Sequence, residues 1–324
     1  MRTFLIALAF FLIPARVSVP YIETRSLAAT PAVLYLGTSA GILYTSHDQG
    51  ISWQPFVSFG TQHVIDRILA DGDHIYLATW DLNNPNVGDF FRSLDAGKTW
   101  ELTLHKSIRG LALSKQTAAA ASITGVPILS VETETLIAGG LDGVYRSKDQ
   151  GMTWDKISVI KDVQSVAIDP NYPGEIFVGT WHLGYVTHNG GTSWHPIDKG
   201  VINDSDFFSI ILDKTDPSTV YIGACSGIYK GSDDGGQFKK EKTKTDARRT
   251  KVLWQVDSKT LFAGTTDGVW VTTDAGKTWR RRGTRYITVN DMVATSPSHL
   301  VIATLHHGVV WSDDGGKTFM ESKF

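Results

Sequence analysis

At 324 residues and 42% hydrophobic content the chain can bury a large core, and its formal net charge of −2 excludes a general attraction to nucleic acid or an anionic membrane surface. One cysteine, Cys225, excludes an intrachain disulfide, so packing must hold the fold. Its setting, IGACSG, matches LGTSAG and AGTTDG elsewhere in the chain and reads as a small buried position.

The first element, residues 1–20, has one arginine followed by about a dozen apolar residues, which fits the core of a targeting peptide and is short for a bilayer span. Export is the expectation, with an uncleaved membrane anchor as the alternative, and residues 21–324 form one domain. Short β-branched and aromatic runs then recur: VLYLGT (33–38), IYLAT (75–79), IFVGT (176–180), VYIGA (220–224), LFAGT (261–265) and LVIAT (300–304). Ahead of such runs lies another apolar stretch, as in RSLAA, IDRILA, IRGLALS, VQSVAID, FFSIILD, KVLWQVD and NDMVAT, and behind them a third, as in GVYRS or GVWVT.

Each third run leads into one octet. It reads SHDQGISW from Ser46, SLDAGKTW from Ser93, SKDQGMTW from Ser147, THNGGTSW from Thr187, TTDAGKTW from Thr272 and SDDGGKTF from Ser312, with a shortened SDDGGQF from Ser232. The starts lie 47, 54, 40, 45, 40 and 40 residues apart, a period that marks a repeat architecture. The GKT triplets are not phosphate loops, because the required upstream glycine is replaced by Arg92, Val271 and Trp311. The octet is turn chemistry: a carboxylate accepts backbone N–H groups, glycine supplies positive φ, hydroxyls tie the flanks, and the aromatic packs into the blade. Asp48, Asp95, Asp149, Asn189, Asp234, Asp274 and Asp314 are therefore assigned to scaffold; a calcium loop would need more oxygens and a closing bidentate Glu. With a final strand beginning at the aromatic, four strands per repeat and seven repeats predict an all-β, seven-bladed β-propeller with the octet between strands three and four.

These octets resemble Asp-boxes, the repeats of bacterial neuraminidases, which also occur in xyloglucanases, sortilin-type receptors and the photosystem II assembly and stability factor family. In size, repeat count and export the chain most resembles the assembly-factor type, and that resemblance implies a binding protein without catalysis or cofactor. A sialidase likeness fails on residues, since the one Ile-Pro pair, Ile13-Pro14, lies in the targeting segment with no preceding Arg. Xyloglucanases use two such propellers with a catalytic aspartate in each. The resemblance also implies an arginine patch, for which Arg280, Arg281, Arg282 and Arg285 offer an analogue; by composition alone these arginines, with Arg248 and Arg249, read as a solvated loop face.

Propeller geometry places ligands on the face opposite the octets. That face receives Trp80, Trp181, His182, Asp267, His306 and His307 with the insertion 81–89 (DLNNPNVGD), and the starts of the innermost strands add Arg25, Asp66, Arg67, Arg109, Gln164, Asn290 and Asp291 round the channel mouth. Such aromatics, amides and guanidinium groups suit a protein segment or a glycan, although Trp80 and Trp181 can equally wedge between blades. A carbohydrate-active hydrolase using Asp66, Asp267 and Asp291 is the rival reading, and it needs two opposed carboxylates in one cleft. The adjacent His306 and His307 point to opposite sides of an extended chain, so no metal site is expected. A monomer is expected, without nucleic-acid binding. Residues 114–135 read as a long connection on the octet face.

Overall fold

The computed structural model describes residues 23–118, 131–201, 206–232, 237–241, 249–283 and 287–324. The targeting segment, Asp234, Arg248 and Arg285 lie outside the described residues. Among those described, twenty-eight strands form seven four-stranded antiparallel sheets, and there are no helices. The first blade comprises β1 (Thr24–Ala29), β2 (Leu34–Thr38), β3 (Ile42–Ser46) and β4 (Gln54–Ser58). The others repeat it in chain order: β5–β8 over 63–104, β9–β12 over 108–158, β13–β16 over 163–197, β17–β20 over 207–240, β21–β24 over 250–282 and β25–β28 over 289–321. Each blade's first strand packs on the next blade's first strand, and β25 packs on β1, so the sheets stand radially round one axis. The seven-bladed propeller is thus the fold, as the repeat period predicted.

Seven buried apolar clusters fill the seven seams between neighbouring blades. Leu27, Leu34, Leu36 and Trp53 of the first blade interlock with Val293, Val301, Ala303 and Val309 of the last, which makes the closing seam of the same kind as the rest. Each octet aromatic sits in the seam with the preceding blade rather than inside its own sheet: Trp100 packs with Tyr35, Leu43 and Phe59, and Trp279 with Tyr221 and Ile228. The octet is therefore an inter-blade device as well as a turn.

Its bonds show how both jobs are done. Ser93 Oγ donates to Asp95 Oδ1 at 2.8 Å, Thr99 N to the same oxygen at 2.9 Å and Thr99 Oγ1 to Oδ2 at 2.7 Å, while Gly97 N donates to Ser93 Oγ at 2.8 Å. The same set recurs at Asp48, Asp149, Asp274 and Asp314. At Asn189 the amide nitrogen donates to Ser193 Oγ instead. Gly97 has φ +84, and a Cβ there would meet Phe56 of the preceding blade at 2.5 Å, so the position needs glycine twice over. The turn's carbonyls then accept donors from the preceding blade: Arg92 reaches Asp149 O and Gln150 O, Arg146 reaches Gly190 O, and Lys230 reaches Ala275 O.

One expectation is corrected. Residues 114–118 and 131–135 are not loop, because β9 (Ile108–Ala118) and β10 (Val131–Gly140) stay paired out to Ala118 and Val131. Alternating β-branched and acidic residues, VETET over 131–135, sustain the ladder on the β10 side, and 119–130 lie outside the described residues.

Candidate functional site at the channel mouth

Every innermost strand carries a register shift near its start, at its second residue in six strands and at the fourth in β5 (His63–Asp71), where two residues oppose one on the neighbouring strand. The unmatched residues are Arg25, Asp66, Arg109, Gln164, Phe208, Lys251 and Asn290, one per blade, at the end of the channel opposite the octets. A bulge bends its strand and frees one side chain from the alternation of the ladder. Seven of them at equivalent positions make a ring of side chains round the axis. Five belong to the residues expected from sequence. Phe208 and Lys251 were missed, although each precedes a Ser or Val in the same local phrase, as in Phe207-Phe208-Ser209 beside Val163-Gln164-Ser165.

Charge organises the ring. Asp66 Oδ2 lies 3.5 Å from Arg67 Nη1 and 3.6 Å from Arg109 Nη1. Burial works to raise its carboxyl, but the charges of Arg67, Arg109 and Arg25 outweigh that and hold it below the usual carboxylate range. Trp80, at the end of β6 (His74–Asp81), lies beneath two guanidinium groups: Arg109 Cζ is 4.9 Å and Arg25 Cζ 5.4 Å from its ring centroid. The indole N–H lies near enough to Asp66 to favour the carboxylate but makes no full hydrogen bond. Burial presses the Arg109 guanidinium below its ordinary value, with Arg67 and Arg25 adding to the effect and Asp66 opposing it. Lys251 is likewise lowered by burial first and by Arg25 second, and its ammonium donates to Asn290 Oδ1 at 3.1 Å.

Asp291 is committed to the scaffold. Its Oδ2 accepts Leu27 N across the closing seam at 2.8 Å and its Oδ1 accepts Met292 N at 2.9 Å. Burial pushes its carboxyl up to about 6, against the pull of those N–H groups and Arg67, and the charge of Asp66 adds to the rise. Asp267 is also spent, since Arg281 Nη2 lies 3.2 Å from its Oδ1 and donates to its carbonyl oxygen at 2.5 Å. The Asn290 amide donates to Thr24 O and Glu23 Oε1, and Gln164 Nε2 to Asp162 O.

The outer rim is set by hairpins that end in Thr. Thr38, Thr265 and Thr304 each donate Oγ1 to the carbonyl four, three and four residues on, closing the channel-face turns. Trp181 is 43% exposed and meets Phe208 edge-on at 6.2 Å; Trp80 is half-buried. Of the two candidates, then, Trp181 offers a surface and Trp80 packs against cations. His182, on one turn, and His306 and His307, together on another, are exposed, and among the described residues no three of His, Cys, Asp and Glu gather as metal ligands. Insertion 81–89 is built on Asp81, whose Oδ1 accepts Asn83 N and Asn84 N, and is tied to the next blade through Pro85 O, which accepts Ser107 Oγ and Arg109 Nη2. A cavity of about 220 Å³ lies beside it, lined by Asp89, His105, Lys106 and Asp142 among others. Asp142 is engaged by Lys106 at 2.7 Å and by the Tyr145 hydroxyl at 2.8 Å.

Another acidic group stands on the octet face, where the Tyr76 hydroxyl donates to Glu134 beside His74. Burial, then the bond to Glu134, pushes that phenol up, the reverse of what an activated nucleophile needs.

Comparison with known proteins agrees with this architecture. The BNR/Asp-box repeat model matches residues 44–55. Xyloglucanase Xgh74A of Acetivibrio thermocellus is 23% identical over 238 residues, covering 64% of this chain and 25% of that protein. A xyloglucanase of Paenibacillus sp is 22% identical, and the chain spans about a quarter or less of either relative. Among solved structures, YCF48 from Cyanidioschyzon merolae superposes with a TM-score of 0.64 at 14% identity over 90% of this chain and 96% of that one. A structure of YCF48 bound to D1 peptide gives 0.66 at 12% identity over 91% and 94%. The xyloglucanase of family GH74 from Xanthomonas campestris gives 0.68 at 16% over 91% of this chain and 52% of its own. No helix of the described residues is long and apolar enough to cross a membrane. The chain is a seven-bladed β-propeller that carries a BNR/Asp-box repeat at residues 44–55.

Proposed function

We propose that this propeller is an exported binding module that engages a polypeptide partner through its channel face and catalyses nothing. The observation that carries this reading is the commitment of the channel-face acids: Asp291 holds two backbone N–H groups, Asp267 holds Arg281, and Asp66 sits among three arginines. General acid–base hydrolysis needs one carboxyl able to give a proton and another free to face water or sugar across the cleft. What the face presents instead is cations, aromatics and exposed apolar side chains. Likeness to YCF48, one structure of which holds D1 peptide, supports peptide binding and a role as an assembly or stability factor. Likeness to an extracellular domain of BT4673 supports placement outside the cytoplasm. The xyloglucanase matches favour the enzymatic alternative, and the test separates the two. Purified protein is incubated with xyloglucan and a glycan panel while reducing ends are assayed, and in parallel is used as bait on its native membrane fraction. Capture of one partner that is lost in Trp181→Ser and kept in Lys317→Ser, an octet-face change, supports the reading. Release of reducing ends that disappears in Asp66→Asn overturns it.

A further inference from the structure

Four cations, Arg25, Arg67, Arg109 and Lys251, crowd the channel mouth against three carboxylates, Glu23, Asp66 and Asp291. Positive charge is left over with every acid ionised, and Arg249 near Lys251 adds to it; burial first, and neighbouring cations after it, lowers Arg109 and Lys251. Two guanidinium groups share the ring of Trp80, with Glu23 3.0 Å from Arg25 and Asp66 3.6 Å from Arg109 as their counter-charges. Two donors at this spot are buried without acceptors: Arg25 Nε and Trp80 Nε1. An unpaired buried N–H costs free energy that an incoming oxygen would recover.

We propose that Arg25, Trp80 and Arg109 form a carboxylate-binding subsite that anchors the partner polypeptide, an inference that rests on the binding reading above. A guanidinium fork takes a carboxylate with two parallel bonds, and the indole N–H adds a third donor. A carboxylate meets this positive surplus. A polypeptide source fits better than an acidic glycan. Leu82, Val87, Val159 and Trp181 are exposed on the same face at 52%, 53%, 77% and 43%, offering contacts to apolar side chains, while the amides of Asn290 and Gln164 that would read sugar hydroxyls are already bonded to backbone. The carboxylate can be a chain end or an Asp or Glu side chain, and the chemistry at the anchor is shared.

Heteronuclear NMR of the Trp Nε1–H and Arg Nε–H groups in the full chain reads the two unpartnered donors directly, with Trp80→Phe and Arg25→Gln giving the assignments. Three acetylated tripeptides are titrated: Leu-Ala-Leu with a free carboxylate, Leu-Ala-Leu amide, and Leu-Glu-Leu amide. We expect saturable shifts of the Trp80 and Arg25 signals with one or both acids and none with Leu-Ala-Leu amide, the responding peptide identifying the source. The double variant Arg25→Gln/Arg109→Gln should weaken binding about tenfold to a hundredfold, the usual yield of charge-assisted bonds. Equal shifts by Leu-Ala-Leu amide, tighter binding of inorganic phosphate or of a glucuronate oligosaccharide, or no shift with any peptide would overturn the subsite. If the double variant fails to fold, the acid-against-amide comparison on the unaltered chain still decides. A folded double variant that captures the partner undiminished removes the anchor and leaves the binding reading standing, whereas polysaccharide turnover removes that reading itself.

Discussion

His299 Nε2 donates to the carbonyl oxygen of Gln49 at 2.9 Å, joining the last blade to the octet turn of the first, while Nδ1 of the same ring meets Asp313 Oδ1 at 2.5 Å. The ring is buried, and it does at the closing seam what Arg92, Arg146 and Lys230 do at others. The tail completes the junction: Trp53 N donates to Lys323 O and Lys323 N to Ile51 O, both at 2.9 Å. Removing Ser322 to Phe324, or His299→Ala, should each lower stability by about 1–3 kcal/mol, the cost of leaving buried partners unmade. Thermal melts should show midpoints lower by several degrees; unchanged melting in both would mean that the apolar seam alone closes the ring.

At the octets, the Asn189 turn keeps the bonding pattern with an amide in place of a carboxylate. Asp274→Asn should therefore cost less than Asp274→Ala, which should cost about 1–2 kcal/mol as the turn loses its shared acceptor. Trp53→Ala, which opens the closing seam, should cost about 3–5 kcal/mol. Denaturant unfolding ranks the three, and a large loss in Asp274→Asn would contradict the bonding scheme.

Acid should weaken the scaffold in a defined window. Burial opposes, but the bonds from Thr153 and Ser147 hold Asp149 at about 2, and those from Thr278 and Thr272 hold Asp274 at about 2. These folded values lie below the unfolded one, so the carboxylates contribute stability above about pH 4 that is lost as pH falls toward 2. Melting midpoints followed down this range should fall, and the fall should shrink when Asp149 and Asp274 are both changed to Asn.

Asp291 gives a slope of opposite sign. With its carboxyl at about 6 in the folded chain, the native state holds an extra proton between roughly pH 4 and 6, so its contribution declines as pH rises through that interval. Asp291→Asn should flatten this part of the stability profile. A steeper decline in the variant would show that the charged form is the better partner for Leu27 N and Met292 N.

The octets, the strand order and the face that carries the bulges were legible because each depends on local spacing: Asp to Thr, Gly to Trp, β-branched run to turn. The seam position of Trp100 was not, since which sheet an aromatic enters is settled by blade twist rather than by neighbours in sequence. Phe208 and Lys251 escaped for a related reason. A bulge breaks the alternation on which strand reading relies, so Phe208 reads as core between Phe207 and Ser209, and Lys251 as the polar edge of a strand. Asp267 and Asp291 were correctly placed by face, but their occupation by Arg281 and by Leu27 N is long-range information.

Because each bulged residue stands outside the pairing of its own sheet, the ladder does not dictate what occupies those seven places, and only side-chain bonds such as Asn290 to Thr24 O, Gln164 to Asp162 O and Arg109 to Pro85 O hold particular residues there. Exchanging Gln164 for an acid, or Phe208 for a base, alters the electrical and steric pattern seen by a visitor while the ladders on either side keep their partners. If the channel face binds a partner as proposed, the ring is a seven-letter address that mutation can rewrite letter by letter to suit a new correspondent.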